Sequence, residues 1–378
     1  MKTLQIIDNL IPDSSEGRRV VTIANELYRN GYGVTVASAF KDEGHAETVK
    51  RLLEPGVEVL WHHPVFRFSK FCYSPDLYGL LSGSDYDVVH AHSYRHYGTY
   101  VGALLRKNRN IPFVLSPYGS SGYGSSRKFM SLYLIQDLIT RKYPLKYSDR
   151  ILAETEFEKK RLIAFGSDAS KIDVVYREVD TKAFRKLDKN VFENSSTLIF
   201  IGRITPIKGI ELIINVLSHL DENIHLSIIG PIENSSYFNK LQELISEKRL
   251  RNRVRFHGEI SHDDIPKYCS SALALILPSL YENLGGVILE AQACECPVIA
   301  IKVGGIPEII KDGETGYILK ERSPKKMAEK IKLLSGDFPL RNRMGSKGRE
   351  FMRSHFSVDD FINKLQHAYE KAMNVKNL

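Results

Sequence analysis

The sequence predicts an α/β protein of two Rossmann-like, doubly wound parallel-sheet domains, expected to face each other across a cleft. Three observations carry this. Short apolar runs recur along the chain with amphipathic helical stretches between several of them, the alternation that builds parallel sheets. The alternation halts at a polar stretch, 182–196, and then restarts in the same style. A chain of 378 residues is also long enough for two domains with separate cores.

Residues 3–8 read as the first strand and 20–29 as a helix closed by Gly31, a residue suited to a helix end. Further short apolar strands are predicted at 34–39, 57–61, 88–91, 113–116, 150–153 and 172–176. The clearest helical patterns between them are 127–141 and 156–165. The polar stretch 182–196 reads as a linker. Beyond it come a strand at 197–201, a helix at 210–220 and a strand at 225–229 that ends in Gly230-Pro231. A helix at 237–248, a strand at 254–257 and a short helix at 263–269 follow. The strand 272–277 ends at Pro278, and 287–293 reads as the helix after it. Strands at 297–301 and 317–319 precede a helical region from Pro324, and a last helix spans 358–373. The expected domains are 1–181 and 182–357, with a C-terminal helical segment, 358–378, packing back on the first.

A hydrophobic share of 43% and a charged share of 26% are those of a soluble globular protein. The start of the chain is broken by Gln5, Asp8 and Asn9 and does not read as a secretory signal. No apolar run approaches the roughly 18 residues that would span a bilayer. Cys72, Cys269, Cys294 and Cys296 are scattered, and Cys-x-Cys is not a usual zinc spacing, so they are expected to be reduced thiols in a cytoplasmic protein. The net charge of +8 is matched by one window, 95–161, with 13 Lys or Arg against 5 Asp or Glu. That window includes Arg106, Lys107, Arg109, Arg127, Lys128, Arg141, Lys142 and Lys159-Lys160-Arg161, interleaved with Phe129, Tyr133 and Tyr143. Such a patch could meet an anionic acceptor or an anionic membrane surface; solvated helix faces are the plainer alternative. No partner of nucleic-acid type is indicated.

The most informative stretch is 277–291. A buried strand, a polar turn containing Gly285-Gly286 and an apolar helix make an anion-binding arrangement, because the first helical N–H groups lack intrahelical partners. Glu282 precedes the helix and Glu290 lies eight residues on. Eight helical residues rise roughly 12 Å, whereas glycosidase carboxylates stand roughly 5 to 10 Å apart, so a hydrolytic pair is disfavoured. The span suits a ligand with a diphosphate in the middle, a sugar at one end and a ribose at the other. The bland alternative is a solvated turn glutamate and an ordinary helix glutamate.

Several motifs then point the same way. Glu282-x7-Glu290 follows Pro278-Ser279, Gly202-Arg203-x4-Lys208-Gly209 follows a strand, and Val303-Gly304-Gly305-Ile306-Pro307-Glu308 precedes Asp312-Gly313-Glu314-Thr315-Gly316-Tyr317. In this order they resemble the retaining, nucleotide-sugar-dependent glycosyltransferases of group 1 with the two-domain GT-B fold. The resemblance implies that Arg203 and Lys208, with Gly202, hold the departing diphosphate. It implies that Glu290 binds the ribose, and that Glu282 with the backbone N–H groups near Asn283, Leu284 and Gly285 holds the donor sugar. The turn around Ile260, in His257-Gly258-Glu259-Ile260, would read the base through the main chain.

The first half departs from the family pattern. Ser14-Ser15 or Glu16-Gly17 stands where the family has a Gly-Gly loop, and Ser116-Pro117-Tyr118-Gly119 where it has a sugar-contacting His. His90 and His92 lie nearby, and Arg177-Glu178-Val179-Asp180 replaces an Asn-Gly-Val-Asp. Asp85-Tyr86-Asp87 is the metal motif of a different glycosyltransferase fold, but it precedes a strand instead of ending one; a charged approach to the strand explains it as well.

The resulting expectation is a cytoplasmic, metal-independent retaining glycosyltransferase, peripheral on the inner face of the membrane. It needs no cofactor and takes a nucleoside diphosphate sugar as donor. The acceptor would be a glycan or a lipid-linked intermediate of surface polysaccharide synthesis, with Tyr118, Gly119 and Gly17 on the sugar and acceptor side. The rivals are a same-fold epimerase or phosphorylase, and a binding protein that kept the fold and lost catalysis. The Arg203 to Lys208 loop joined to Glu282-x7-Glu290 weighs against the epimerase.

Overall fold

A computed structural model of the chain describes residues 1–68, 71–119, 143–188, 190–192 and 196–375. The helix expected over 127–141, with Arg127, Lys128, Arg141, Lys142, Phe129 and Tyr133, lies outside the described residues. The chain divides into two compact units, residues 1–176 with 361–378, and residues 177–360.

The first unit is built on a seven-stranded parallel sheet. Its strands are β1 (Lys2–Ile6), β2 (Gly33–Ala39), β3 (Glu58–His62), β6 (Val88–His92), β7 (Phe113–Ser116), β8 (Arg150–Ala153) and β9 (Ile172–Val174), in the order β3-β2-β1-β6-β7-β8-β9. A short antiparallel hairpin, β4 (Phe66–Phe68) and β5 (Phe71–Tyr73), stands apart from it. The inner strands β6, β7 and β8 are nearly all buried, as expected when helices cover both faces of a sheet, whereas the edge strands β3 and β9 are partly exposed. The core joins Leu4, Ile6, Val89, Phe113, Leu115 and Ile151 to Val101 and Leu105 of the helix Tyr97–Arg109.

The helix expected from residue 20 begins at Ser15. Ser14 Oγ caps it by accepting from Gly17 N at 3.0 Å, and the charged first turn that hid this start buries Arg19 in a pair with Glu154. The hairpin and the helices Glu43–Leu52, Leu77–Ser82 and Tyr97–Arg109 were not singled out by apolar periodicity. The buried Asp8 carboxylate organises two of these pieces. It accepts from Tyr97 N at 2.7 Å and Gly98 N at 2.6 Å, holding a helix start, and from Cys72 N at 3.0 Å, holding the hairpin.

The second unit holds a six-stranded parallel sheet of β10 (Thr197–Ile201), β11 (His225–Ile229), β12 (Val254–Gly258), β13 (Ala274–Leu277), β14 (Val298–Ile301) and β15 (Gly316–Leu319). The order is β12-β11-β10-β13-β14-β15. Chain order therefore reverses between β10 and β13, and between β1 and β6 in the first unit. Such points leave a crevice at the carboxyl ends of the strands, where doubly wound proteins bind ligands. The polar stretch expected as a linker is tied to the body of the second unit. Leu187 N donates to Ser270 Oγ at 2.9 Å, and Arg349 donates to Thr181 O at 3.1 Å and Phe184 O at 3.0 Å. Helices Pro324–Gly336, Phe338–His355 and Val358–Asn374 end the chain, the last crossing from the second unit into the first at residue 361.

All four cysteines are free and buried. No helix among the described residues is long and apolar enough to cross a membrane.

Candidate functional site

The reversal point of the second sheet gathers most of the residues singled out above. Gly202 and Arg203 follow β10, and the chain makes a short 3-10 turn, Pro206–Lys208, before the helix Glu211–Leu217. The loop after β13 lies against that turn, Leu280 N donating to Ile207 O at 2.8 Å. Side chains close the same junction. Lys208 Nζ is 2.5 Å from Glu282 Oε1, and Ser279 Oγ donates to the same oxygen at 2.7 Å. Both members of the ion pair are largely shielded, at 16% and 11% side-chain exposure. Arg322 fastens the loops from below, donating to Pro278 O and pairing with Glu211.

Glycines make this closeness possible. Gly304 has φ +54°, and a Cβ there would fall 1.6 Å from the carbonyl oxygen of Glu282. The neighbouring Gly305 N donates to Asn283 O at 3.0 Å, so the Val303–Gly305 turn grips the Glu282 loop by its backbone. Gly285, with φ +89°, turns the chain into the helix Gly286–Ala293, whose start carries no side-chain cap. The N–H groups there are suited to an anion. Arg177 brings a cation to the same place: a Cβ on Gly286 would come within 3.0 Å of its Nη1. Leu284 is buried and anchors the turn.

Arg203 is placed differently from Lys208. Its side chain is 58% exposed and pairs with Glu233 across the outer edge of the loops, at 2.9 Å. Glu290, farther along its helix, is 2.9 Å from His262 Nε2. His262 follows the turn containing Ile260, just beyond β12, and its ring packs 5.0 Å from that of Phe184. The structure thus joins Lys208 to Glu282 and the segment just beyond β12 to Glu290. His262, Glu233 and Arg322 carried no signal in spacing or composition, because each is defined only by a contact distant in sequence, whereas Ser279 stands in the Pro278-Ser279 motif three residues before the Glu282 it bonds.

In the first unit, Tyr118 and Gly119 follow β7 in consecutive left-handed conformations, φ +55° and +69°. A tyrosine in that region needs support from its surroundings. Gly119 N donates to the buried Glu158 at 2.5 Å, and the Tyr118 ring lies between His92, stacked at 5.8 Å, and the Arg19 guanidinium, 5.2 Å from the ring centroid. Gly17 is a packing glycine in the first helical turn, where a Cβ would strike the Ile11 carbonyl at 1.9 Å. Tyr118 and Gly17 therefore hang on one helix, through Arg19 and the Ser14 cap.

Asp87 accepts from Lys2 N at 2.7 Å, a structural use for the Asp85-Tyr86-Asp87 segment. Among the described residues no group of three His, Cys, Asp or Glu side chains is disposed to hold a metal ion. Of the described basic patch, Arg106 is paired with Asp149 at 2.7 Å, and Lys107 and Lys146 lie over the Tyr147 ring.

Comparison with known proteins gives two family models in tandem. One described as glycosyltransferase family 4 matches residues 17–183, and one described as glycosyl transferases group 1 matches residues 182–351. An uncharacterized glycosyltransferase of Methanocaldococcus jannaschii is 27% identical over 369 residues, covering 93% of each chain. A D-inositol 3-phosphate glycosyltransferase of Streptomyces bingchenggensis is 27% identical over 314 residues, covering 76% of this chain and 67% of that one. Among solved structures, Anabaena HepE in complex with UDP-glucose superposes with a TM-score of 0.79 at 20% identity over 100% of both chains. Sucrose-phosphate synthase from Thermosynechococcus elongatus does so with 0.81 at 19% identity, over 99% of this chain and 100% of that one. At that identity the likeness of the solved structures speaks for the fold.

Proposed function

Because the chain belongs to the retaining group 1, family 4 glycosyltransferases, enzymes that transfer sugar from a nucleotide sugar, we propose that the reversal point of its second sheet is the donor site. The observation that carries this is the shielded Lys208–Glu282 pair, set beside an uncapped helix start that Arg177 also approaches. On this reading the diphosphate lies against the helix start, Lys208 and Arg203, and the donor sugar against Glu282 and the N–H groups of residues 283–285. The ribose meets Glu290, steadied by His262, and the base meets the main chain near Ile260.

Transfer proceeds on one face of the sugar. The acceptor oxygen bonds to the anomeric carbon as the carbon–oxygen bond to the diphosphate breaks, and the acceptor proton passes to the leaving diphosphate oxygen. The protein supplies positions and charge: cations and helix-start N–H groups stabilise what grows on the leaving group. No metal is required in this account.

The acceptor is a glycan or lipid-linked hydroxyl of surface polysaccharide synthesis, taken up on the side of the first unit that carries Tyr118, Gly119 and Gly17. The basic first unit would bring the enzyme to the anionic inner face of the membrane. With the second unit running from 177 to 360, the donor residues, Arg177 included, fall in one compact unit. A panel of nucleoside diphosphate sugars, headed by UDP-glucose because HepE was crystallised with it, tests the donor assignment by thermal shift and transfer. A rise in midpoint with one donor, followed by transfer, supports it; no response to any member contradicts it. Binding without transfer or hydrolysis would favour the non-catalytic rival, for which the Tyr118 and Glu178 departures are the motive.

A further inference from the structure

Beneath Tyr118 five hydrogen bonds run in an unbroken chain through the first unit. Tyr118 Oη is 2.7 Å from His92 Nδ1, and His92 Nε2 is 2.9 Å from Gln5 Oε1. Gln5 Nε2 is 3.1 Å from Tyr369 Oη, which is 2.8 Å from His90 Nδ1. His90 Nε2 ends the chain 2.8 Å from Ser116 Oγ. The members come from β1, β6, the end of β7 and the C-terminal helix, and Gln5, His90, His92 and Tyr369 are fully buried. Polar groups so buried need partners, so their protons must be arranged in a compatible order.

The amide of Gln5 sets the direction. Its carbonyl accepts from His92, so the His92 proton is on Nε2 and Nδ1 is left to accept from the Tyr118 hydroxyl. Its NH2 donates to Tyr369, whose own hydroxyl donates to His90 Nδ1, and His90 then donates from Nε2 to Ser116. This order satisfies all five bonds and requires both imidazoles to be neutral. Burial, together with the positive charge of Arg19, holds both rings below the ordinary histidine range.

We propose that His92 is a positioning residue that commits the Tyr118 proton inward, so that Tyr118 meets a substrate sugar as a hydrogen-bond acceptor and selects a hydroxyl able to donate to it. The proposal rests on the reading that Tyr118 faces a sugar. The ring has little freedom to escape this role, given its left-handed backbone, its stacking on His92 and the Arg19 guanidinium over it. A hydroxyl that reaches Tyr118 Oη finds lone pairs. A deoxy or O-methyl group at that position loses the bond, the kind of loss by which a polar site rejects an analogue.

Two measurements on the full chain test this. In protein labelled with 15N-histidine, signals assigned through H90Q and H92Q should show neutral rings with the proton on Nε2, and Y118F should shift the Nδ1 signal of His92. A proton on Nδ1 of His92 would mean that the chain runs the other way, and would overturn the proposal whatever binds. In transfer kinetics, Y118F and H92L should each raise the KM of the sugar substrate about 3- to 10-fold with little change in kcat. The double variant should be no worse than either, and H92Q, which can accept from Tyr118 and donate to Gln5, should recover most of the loss. A raised KM in Y118F with none in H92L would remove His92 from the role while leaving Tyr118 on the sugar side. An unchanged KM in Y118F, with the Nε2 tautomer present, would refute the sugar-side reading itself and the proposal with it.

Discussion

Lys208 Nζ stands 2.5 Å from Glu282 Oε1, so one ion pair joins the loop after β10 to the loop after β13 where the strand order reverses. The pair does structural work before any ligand arrives. Lys208→Ala strands a shielded carboxylate and should cost about 2–4 kcal/mol of stability, whereas the double variant with Glu282→Gln should cost less than the sum. Urea unfolding of the four proteins measures the coupling. Strict additivity would show that the contact contributes nothing.

The Val303–Gly305 turn should be just as sensitive. Gly304→Ala places a methyl against the Glu282 carbonyl in a left-handed backbone and should cost about 2–4 kcal/mol, with weakened donor binding. Gly313→Ala is the control, since Gly313 is also left-handed, φ +77°, but opens on empty space. It should cost only about 1–2 kcal/mol. Equal losses would mean that backbone strain, not the grip on Glu282, governs the turn.

Much of this arrangement was legible in the sequence, and the reason is local chemistry. The strands of both sheets announce themselves as short apolar runs, and the turns that follow β10, β13 and β14 need glycine, for close backbone approach at Gly209 and Gly304 and for a left-handed backbone at Gly285. The helix Tyr97–Arg109 was not singled out because Gly98, Thr99 and Gly102 blur its apolar face, and its start is fixed by Asp8, remote in sequence. The start at Ser15 carries no apolar signal, because Glu16, Arg18 and Arg19 make the first turn charged and the burial of Arg19 depends on Glu154, remote in sequence. His262 and Arg322 were invisible for the same reason: their meaning lies in Glu290 and Pro278, contacts that no periodicity encodes.

Acid should loosen the first unit through its buried histidines. His90 is held down to about 3 by burial and then by Arg19, whereas an unfolded histidine titrates near 6.5. Between those values the unfolded chain binds a proton that the native ring refuses. Stability present above pH 6.5 is therefore lost as pH falls toward 3, by up to about 1.4 kcal/mol per pH unit from this group. Asp8, whose carboxyl burial pushes up, acts in the opposite sense, so the comparison must be internal. His90→Gln should flatten the slope of stability against pH between 6.5 and 4; an unchanged slope would show that His90 titrates normally.

Transfer should continue in excess chelator, since the proposed leaving-group stabilisation comes from Arg203, Lys208 and helix-start N–H groups. Activity lost to chelator and restored by Mg²⁺ or Mn²⁺ would return attention to Asp85 and Asp87.

The most direct test of the donor site separates its two glutamates. Titration calorimetry with the bare nucleoside diphosphate and with the intact nucleotide sugar is run on wild type, Glu290→Ala and Glu282→Ala. Glu290→Ala should weaken the bare nucleotide by about 1.5–3 kcal/mol, roughly 10- to 150-fold, because the charged hydrogen-bonding partner proposed for the ribose is gone. Glu282→Ala should leave bare nucleotide binding nearly unchanged and weaken only the nucleotide sugar, whose sugar it is proposed to hold. Equal loss of bare nucleotide affinity in both variants would contradict the placement of the donor along this helix, and the eight-residue spacing would then be a feature of packing alone.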